Sequence, residues 1–304
     1  MQNAVFFPNL GIWFGDVPVS VSVFGISVSY YGILMGIALA AGIAVTCVRA
    51  VKTRQKAEDY LEIAIAVTAF GVIGARLFYA AFALEYLKDD PARFFRFSEG
   101  GFALYGALLG GAGAVFLMSR IKGLYPLVVL DTAAPGLAVG IAIGRWGDFF
   151  ARGSFGEYTD GIFAMQIPVS AVRAADVTEM MRNHVVQIEE TNFVQVHPTF
   201  LYESVWCLLL AVCIFLASKK RQQDGELFLI FLLGYGLGRF WIEGFRTDSL
   251  LIPGVESPVS QVISVFLVLF SAMYFIYKRA GQNGHIKPRG GGMFGRSKKR
   301  FFGK

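Results

Sequence analysis

The chain alternates between long apolar stretches and short polar connections. Seven of the stretches are long enough to cross the ~30 Å hydrocarbon core of a bilayer as a helix. They predict spans over residues 27–48, 61–84, 101–119, 127–145, 199–217, 226–244 and 259–277. The pattern therefore predicts an all-α integral membrane protein with seven transmembrane helices.

Basic residues in the connections predict the orientation of these helices. Lys and Arg cluster after the first, third and fifth spans, at positions 49–56, 120–122 and 219–221, and again after the seventh. Because short loops rich in Lys and Arg stay in the cytoplasm, these connections and the C-terminus are expected inside. The N-terminus and three other segments are then expected outside: 85–100, 146–198 and 246–258.

The polar segment 146–198, between the fourth and fifth helices, is long enough to form a small head outside the cytoplasm. Within it, GSFGEYTDG predicts turns, FAMQIPVS a short strand and ADVTEMMRNHVVQIEE an amphipathic helix, with His184 as a surface histidine. Two regions follow from this reading. Residues 1–278 are expected to form the seven-helix transmembrane domain, and residues 279–304 a basic, disordered cytoplasmic tail.

Composition supports a membrane protein and argues against nucleic-acid binding. The chain is 55% hydrophobic and only 16% charged, against about a quarter charged in a soluble domain. Nine of the 28 Lys and Arg lie in residues 278–304, which contain no acidic residue. The net charge of +6 therefore belongs to a tail that is expected to touch anionic membrane lipid. Cys47, Cys207 and Cys213 lie in apolar runs without metal-site spacing, so no metal site is expected.

Several ionisable residues fall inside the predicted spans, where each costs about 2.5–3.5 kcal/mol at mid-helix and marks a candidate functional site. The predicted orientation brings a set of polar side chains to one level of the outer leaflet: Tyr31, Arg76, Tyr105, Arg145, Tyr235, Arg239, Glu243 and Arg246. In the simplest interpretation, Arg239 and Glu243 neutralise each other and the other arginines extend to headgroups. Because acidic partners are scarce at that level, a site for an anionic phosphate headgroup is preferred.

Six blocks around these residues resemble prolipoprotein diacylglyceryl transferases, in the family's order. The most specific is GYGLGRFWIEGFRTDSL at 234–250, followed by HPTFLYES at 197–204 and GRWGDFFARGSFG at 144–156. SYYG at 29–32, GARLFY at 74–79 and GGFALYGALLGG at 100–111 support them. The resemblance implies seven helices, an outside N-terminus and a small outer head. It also implies a bacterial cytoplasmic membrane protein whose active site faces the outer leaflet.

The resemblance further implies a reaction, the first step of bacterial lipoprotein maturation. The lipobox cysteine thiol of a prolipoprotein attacks the glycerol carbon that bears the phosphate of phosphatidylglycerol, a thioether forms, and glycerol phosphate leaves. Catalytic roles are implied for Tyr31, Tyr105, Arg239 and Glu243. Contacts to phosphatidylglycerol are implied for Arg76, Arg145, Asp148, Tyr235 and Arg246. A monomer without metal or soluble cofactor is expected.

Three positions depart from the family's motifs. Tyr105 stands where the family often has His as a candidate base, and a neutral Tyr with a pKa of ~10 needs a neighbouring cation to serve as one. Asp148 replaces an Asn, so that a carboxylate three residues from Arg145 is expected to pair with it and compete with phosphate. Two polar residues of the family are lost in the stretch Ala151–Gly153, where Arg152 adds a cation expected to compensate for Asp148.

Two other functions were weighed against an active transferase. A diverged, catalytically weak paralogue that binds phospholipid or lipoprotein would account for the changes between residues 148 and 153, and Asp148→Asn separates it from an active enzyme. A transporter would also carry charges inside its spans. The charges here cluster at one depth, and no paired broken helices or inverted halves accompany them. The transferase is therefore the preferred hypothesis.

Overall fold

Each of the seven predicted apolar runs forms a long helix in the computed structural model, which describes residues 3–83, 90, 94, 100–249 and 257–283. The helices are α1 (Tyr30–Lys52), α2 (Ala57–Phe82), α3 (Leu104–Ile121), α4 (Pro126–Ala151), the short α5 (Glu179–Asn183), α6 (Thr199–Ser218), α7 (Glu226–Glu243) and α8 (Val259–Asn283). Six of them are long and apolar enough to cross a membrane. The chain is therefore a mostly helical, multi-pass membrane protein.

Helix α7 is the long helix outside that group of six. It has 18 residues, and three of them are charged: Glu226, Arg239 and Glu243. Its flanks pack against α6, α8 and α4. Ionisable residues inside a bundle of membrane-spanning helices are costly, so they mark candidate functional positions.

Local signals fix the ends of the helices that carry polar residues. The Ser29 hydroxyl accepts a hydrogen bond of 3.1 Å from the Gly32 amide and caps α1. Helix α4 begins with Pro126, whose missing N–H costs nothing in the first turn. Gly225, with φ of 89°, starts α7 in a left-handed conformation that favours glycine.

Helix α4 is central to the bundle. It packs against α1 on one flank and against α6 and α7 on the other, while α2 pairs with α3. A methyl group on Gly42 of α1 would lie 2.9 Å from the carbonyl oxygen of Gly136 in α4, so the two backbones are in direct contact. Near the other end of the same interface, the Tyr31 ring covers Gly147. The position of Tyr31 is thereby fixed relative to the end of α4.

Seven short strands lie at one end of the bundle, where α4 ends and α1 and α6 begin; we call this the head end. They are β1 (Val5–Phe7), β2 (Ile12–Phe14), β3 (Ser20–Val23), β4 (Ile26–Ser29), β5 (Met165–Pro168), β6 (Val186–Ile188) and β7 (Thr191–Val196). Five form an antiparallel sheet in the order β2-β1-β5-β7-β6, and β3 and β4 form a separate ribbon. The predicted all-α class is therefore incomplete.

The head is also larger than the predicted segment 146–198, because the N-terminal strands join it. Strand β1 pairs with β5 through Phe6 and Gln166. Val5 and Phe7 pack in the same buried core as Phe149 and Phe200, which come from the end of α4 and the start of α6. Burial of these side chains attaches the sheet to the two helix ends.

Part of the predicted head structure is confirmed and part is wrong. FAMQIPVS contains strand β5, and His184 is exposed, as expected. The amphipathic helix expected over 175–190 is confined to Glu179–Asn183, because Val186 and Ile188 instead pair with β7. The predicted tail lies outside the described residues beyond Asn283, as do most of the 85–100 connection and residues 250–256.

Candidate active site

A buried carboxylate holds two arginines together at the head end. Arg145 comes from the last turns of α4, Glu203 from the first turns of α6 and Arg239 from α7. Arg145 Nη2 lies 2.8 Å from Glu203 Oε1, and Arg239 Nη1 donates to Glu203 Oε2 at 3.1 Å. The Glu203 side chain is 4% exposed. One carboxylate thus sets the spacing of guanidiniums from two different helices.

The ion pairs continue along α7 toward the head. Arg239 Nη2 lies 2.6 Å from Glu243 Oε2, one helical turn further on. Glu243 Oε1 accepts a hydrogen bond of 2.8 Å from the Ser249 hydroxyl, and Glu243 Oε2 lies 4.0 Å from Arg246 Nε. Arg246 in turn makes two hydrogen bonds of 2.9 Å to the carboxylate of Asp248. We call this connected set of side chains the arginine chain; its members are Arg145, Asp148, Glu203, Arg239, Glu243, Arg246 and Asp248.

The arginines at the head end have more acidic partners than the sequence predicted. Arg145 is also bonded to Asp148, at 3.0 Å, as expected for that pair. The arginine chain therefore contains three guanidiniums and four carboxylates: Asp148, Glu203, Glu243 and Asp248. The expectation that carboxylates are scarce at this level is wrong. Its cause is that Glu203 and Asp248 come from other parts of the chain, and only folding brings them here.

Arg145 and Arg239 are nevertheless more accessible than Glu203 and Glu243, with which they pair. The side chains of Arg145 and Arg239 are 21% and 14% exposed, against 4% for Glu203 and 2% for Glu243. Among the described residues, Glu203 Oε1 and Glu243 Oε2 are buried without an aligned hydrogen-bond donor, although a guanidinium lies close to each. A ligand would therefore reach these two guanidiniums before the two buried acids, and charge-assisted side-chain pairs of this kind can be exchanged for bonds to an anion.

Two of the predicted tyrosines flank the arginine chain. Tyr235 lies one turn before Arg239 on α7, and its ring stacks on Phe231 at 5.8 Å between centroids. Tyr31 packs on Gly147, two residues after Arg145. Both rings therefore border the helices that carry the guanidiniums.

Tyr105 and Arg76 belong to a different part of the head end, on α3 and α2. The Tyr105 ring lies 6.4 Å from the ring of Phe78. Arg76 Nε donates to the carbonyl of Phe94 at 2.8 Å, and Nη1 donates to the carbonyls of Gly100 and Gly101. These hydrogen bonds of Arg76 lead to the connection before α3. Arg76 therefore ties that connection to α2.

A backbone ladder joins the arginine chain to the head. Gly156 and Arg246 form a β-bridge, and the Gly156 amide donates to the carbonyl of His197 at 2.9 Å. A methyl group on Gly156 would lie 2.8 Å from the Cβ of His197 and from the carbonyl oxygen of Phe245, so glycine is required for this approach. Burial lowers the pKa of His197 below its ordinary value, with Glu157 acting in the opposite direction. The ring is therefore neutral at pH 7.

Arg152 does not offset the charge of Asp148, contrary to expectation. Its Nη2 donates to the carbonyls of Val17 and Asn3, at 2.6 and 3.1 Å. The residue ends α4 with φ of 50°, and its side chain turns toward the N-terminal strands. Arg152 therefore attaches those strands to α4.

Glu203, Asp248 and Ser249 were not singled out from the sequence. Glu203 lies in the apolar run 199–217, so the rule that selected Arg239 also applies to it. Asp248 and Ser249 lie outside the helices and gave no comparable signal. Among the described residues no group of three or more His, Cys, Asp or Glu side chains is placed to hold a metal ion. The arrangement suits the binding of an anion by guanidinium groups.

The sequence was then compared with known proteins. A family model described as prolipoprotein diacylglyceryl transferase matches residues 18–277. The chain belongs to this family. The matched residues include the whole arginine chain, and the resemblance predicted from six short blocks is confirmed.

Curated members of the family are similar over most of their length. Three examples, each named phosphatidylglycerol–prolipoprotein diacylglyceryl transferase, show this. The protein of Clostridium novyi is 33% identical over 261 residues, which are 85% of this chain and 95% of the relative. That of Synechococcus elongatus is 33% identical over 268 residues, 86% of each chain. That of Halalkalibacterium halodurans is 31% identical over 259 residues, 84% of this chain and 83% of the relative.

Proposed function

We propose that this chain transfers the diacylglyceryl group of phosphatidylglycerol to the lipobox cysteine of prolipoproteins, forming a thioether and releasing glycerol phosphate. The observation that carries the proposal is the arginine chain, in which Glu203 holds Arg145 and Arg239 side by side in a member of the transferase family. Guanidinium forks match the geometry of phosphate oxygens, and the substrate's phosphodiester is the anion that must be held.

The protein is proposed to lie in the bacterial cytoplasmic membrane with seven spans, its head end outside and its C-terminus inside. Support comes from the distribution of basic residues. Four groups follow spans whose ends lie opposite the head: residues 49–56, 120–122, 219–221 and 278–304. Since basic loops remain cytoplasmic, the arginine chain would face the outer leaflet, where lipid and exported prolipoprotein meet.

The arginines are proposed to act on the charge that develops as the bond breaks. The cysteine sulfur attacks the glycerol carbon, the carbon–oxygen bond to phosphate breaks, and its electron pair stays on the departing phosphate. The phosphate gains a negative charge in this step, and preformed donors that meet it lower the barrier. Asp148 is the carboxylate most easily displaced from Arg145, because its side chain is 15% exposed and that of Glu203 is 4% exposed.

Arg246 and Tyr235 are proposed to complete the headgroup site beside Arg145 and Arg239. Arg246 is fixed by the ladder to Gly156, so it offers a guanidinium in a set position. Arg76 is proposed to act less directly, since its guanidinium donates to the carbonyls of Phe94 and Gly101.

The attacking species is a thiolate, so a group in the site must take the thiol proton. Glu243, Tyr31 and Tyr105 are the proposed candidates for this catalytic base, and Arg239 is the proposed catalytic group that stabilises the departing phosphate. Glu243 is favoured as the base because it is a carboxylate, whereas a neutral Tyr needs a neighbouring cation to take a proton. No metal or soluble cofactor takes part in the proposed reaction, and a single chain holds the whole site.

The test is a transfer assay with purified protein, phosphatidylglycerol vesicles and a peptide that contains a lipobox cysteine. Mass spectrometry should detect a peptide whose mass has increased by one diacylglyceryl group, together with released glycerol phosphate. Arg173→Ala is a suitable control, because Arg173 is a surface arginine of the head with a side chain 75% exposed. If wild type and Arg173→Ala both leave the peptide unmodified while a curated relative modifies it, the proposal is wrong.

A further inference from the structure

A two-stranded ribbon precedes α1 and stands apart from the five-stranded sheet. Strands β3 and β4 pair in a register that runs from Ser20 opposite Ser29 to Val23 opposite Ile26. Serine and aliphatic residues alternate along both strands, and residues 17–29 contain no charge. Since successive side chains point to opposite faces, one face carries only serines: Ser20, Ser22, Ser27 and Ser29. Val21 and Val28 are paired on the other face and are half-buried.

The tip of the ribbon is a phenylalanine in a conformation that phenylalanine avoids. Phe24 and Gly25 form the turn, with φ of 51° and 81°. Two-residue turns with positive φ at both positions favour Asn-Gly or Gly-Gly, because a bulky side chain is strained there. The Phe24 side chain is nevertheless fully exposed. Because the exposed Phe24 ring gains no burial within the protein that would offset its strained backbone conformation, we take this conformation as a sign of a contact outside the protein.

The base of the ribbon is fixed at the first residue of a membrane-spanning helix. The Tyr30 amide, which begins α1, donates to the carbonyl of Val19 at 3.0 Å. Large apolar side chains of α1 such as Met35 and Ile37 are about half exposed, as expected for a helix surrounded by lipid. The ribbon therefore starts where α1 enters the bilayer and continues the same uncharged, apolar surface.

We propose that the β3–β4 ribbon lies in the headgroup region of the bilayer beside α1, with Phe24 inserted among the upper acyl chains as a lipid anchor. The inference rests on α1 crossing the membrane, and it does not depend on the transfer reaction. Aromatic rings concentrate at membrane interfaces. The serine face then points to water, and the Val21–Val28 face points to lipid.

A lipid occupant fits better than water, a substrate peptide or a second copy of the chain. A free two-stranded ribbon is at best marginally stable in water, so the apolar face needs a cover. The ribbon has no charged side chain that could select a peptide, and its serine face offers little apolar area for contact with another protein. The bilayer is already adjacent at Tyr30 and covers the ribbon without any further partner.

The depth of Phe24 can be measured directly. Phe24→Cys is introduced after Cys47 and Cys213 are replaced by alanine, with the fully buried Cys207 retained, and is labelled with an environment-sensitive fluorophore. The same label at Ser22→Cys probes the serine face of the same ribbon. Labelled full-length protein is placed in phosphatidylcholine–phosphatidylglycerol vesicles and quenched either by shallow nitroxide lipids or by aqueous iodide.

Lipid nitroxides should quench the label at position 24 about twofold or more strongly than the label at position 22, and iodide should show the reverse order, because interfacial anchors sit ~5–10 Å into the bilayer boundary. Equal and strong quenching by iodide at both positions would overturn the proposal. Shielding of position 24 that requires added lipobox peptide would assign the tip to the substrate instead. Shielding that grows with the protein-to-lipid ratio would assign it to a second copy.

Discussion

Two buried clusters of charge occupy opposite ends of α4 and α7, and they use their carboxylates differently. At the end opposite the head, the fully buried Asp131 of α4 accepts hydrogen bonds from the amides of Gly225 and Phe228, at 2.7 and 2.9 Å. Its Oδ2 also lies 3.1 Å from Arg221 Nε. Asp131 therefore accepts hydrogen bonds from amides at the start of α7 that have no partner within the helix. Its negative charge also interacts favourably with the positive end of the helix dipole.

At the head end, Glu203 is bound by side chains and not by backbone amides. It pairs with Arg145 and Arg239, and its Oε1 has no aligned hydrogen-bond donor among the described residues. A carboxylate bound by the first amides of a helix cannot release them without leaving those amides unpaired in a buried site. One bound by side chains can share them with a ligand. The comparison indicates that the Asp131 cluster builds the bundle, and that the arginine chain is arranged to bind and react.

The largest effect should come from Asp131→Ala, and it should be on stability. Removing the acid takes from Arg221 its buried partner and leaves the α7 amides without an acceptor, and breaking a buried pair in this way costs about 3–5 kcal/mol. Thermal unfolding of the purified protein in detergent checks this. Asp224→Ala is the matched control, since Asp224 pairs with Arg221 through a side chain 54% exposed, and such pairs contribute little. A stable Asp131→Ala protein would remove the distinction between the two clusters.

Next comes Arg239→Ala, whose effect should be on activity. Loss of one preformed donor to the departing phosphate should slow transfer by about 10²–10³-fold. Glu203 keeps its pair with Arg145 and Glu243 keeps the Ser249 hydroxyl, so the unfolding temperature should fall less than in Asp131→Ala. Arg239→Lys should recover only part of the rate, because a single ammonium does not reproduce the guanidinium fork. Unfolding of Arg239→Ala to the same degree as Asp131→Ala would mean that the arginine chain, too, is a structural element.

A smaller loss is expected for Glu203→Gln. The amide keeps the shape of the side chain but no longer holds Arg145 and Arg239 by charge, so we expect kcat/KM to fall by about tenfold, equivalent to about 1.4 kcal/mol. Glu203→Asp, which restores the charge, should recover part of that loss. Steady-state transfer rates at several phosphatidylglycerol concentrations measure both variants. Equal losses in the two would show that side-chain length, and not charge, is what the site requires.

The smallest effect should be a gain. Asp148→Asn removes the most exposed carboxylate on Arg145 and should tighten binding of phosphatidylglycerol by about fivefold or less, the range of a partly exposed ion pair. The matched control is Asp176→Asn, which breaks the equally spaced pair with Arg173 on the head and should leave the affinity unchanged. A loss of activity in Asp148→Asn would mean instead that the carboxylate has become part of the mechanism.

The sequence predicted the seven long helices, since a long apolar run has few stable alternatives in a membrane. The predicted ends lie within about four residues of the observed ones, except that α4 and α8 continue six residues further, to Ala151 and Asn283. It also predicted Arg145, Arg239 and Glu243 as site residues, because ionisable groups inside such runs are costly enough to require a function. Both kinds of prediction could be made from the sequence because each depends on a property of one segment. The serine–valine alternation of residues 19–29 is a signal of the same local kind, although it was not used to predict strands.

The tertiary structure alone decided which segments meet. Strand β1 joins β5 across about 160 residues of chain, and three-residue strands are too short to produce a distinct pattern. Glu203 is an ordinary position in an apolar helix until α4 and α7 bring Arg145 and Arg239 to its two oxygens. The charge balance of a site is the sum over every segment that reaches it. For that reason the arginines of this protein are evident from the sequence, whereas the number of acids that hold them is not.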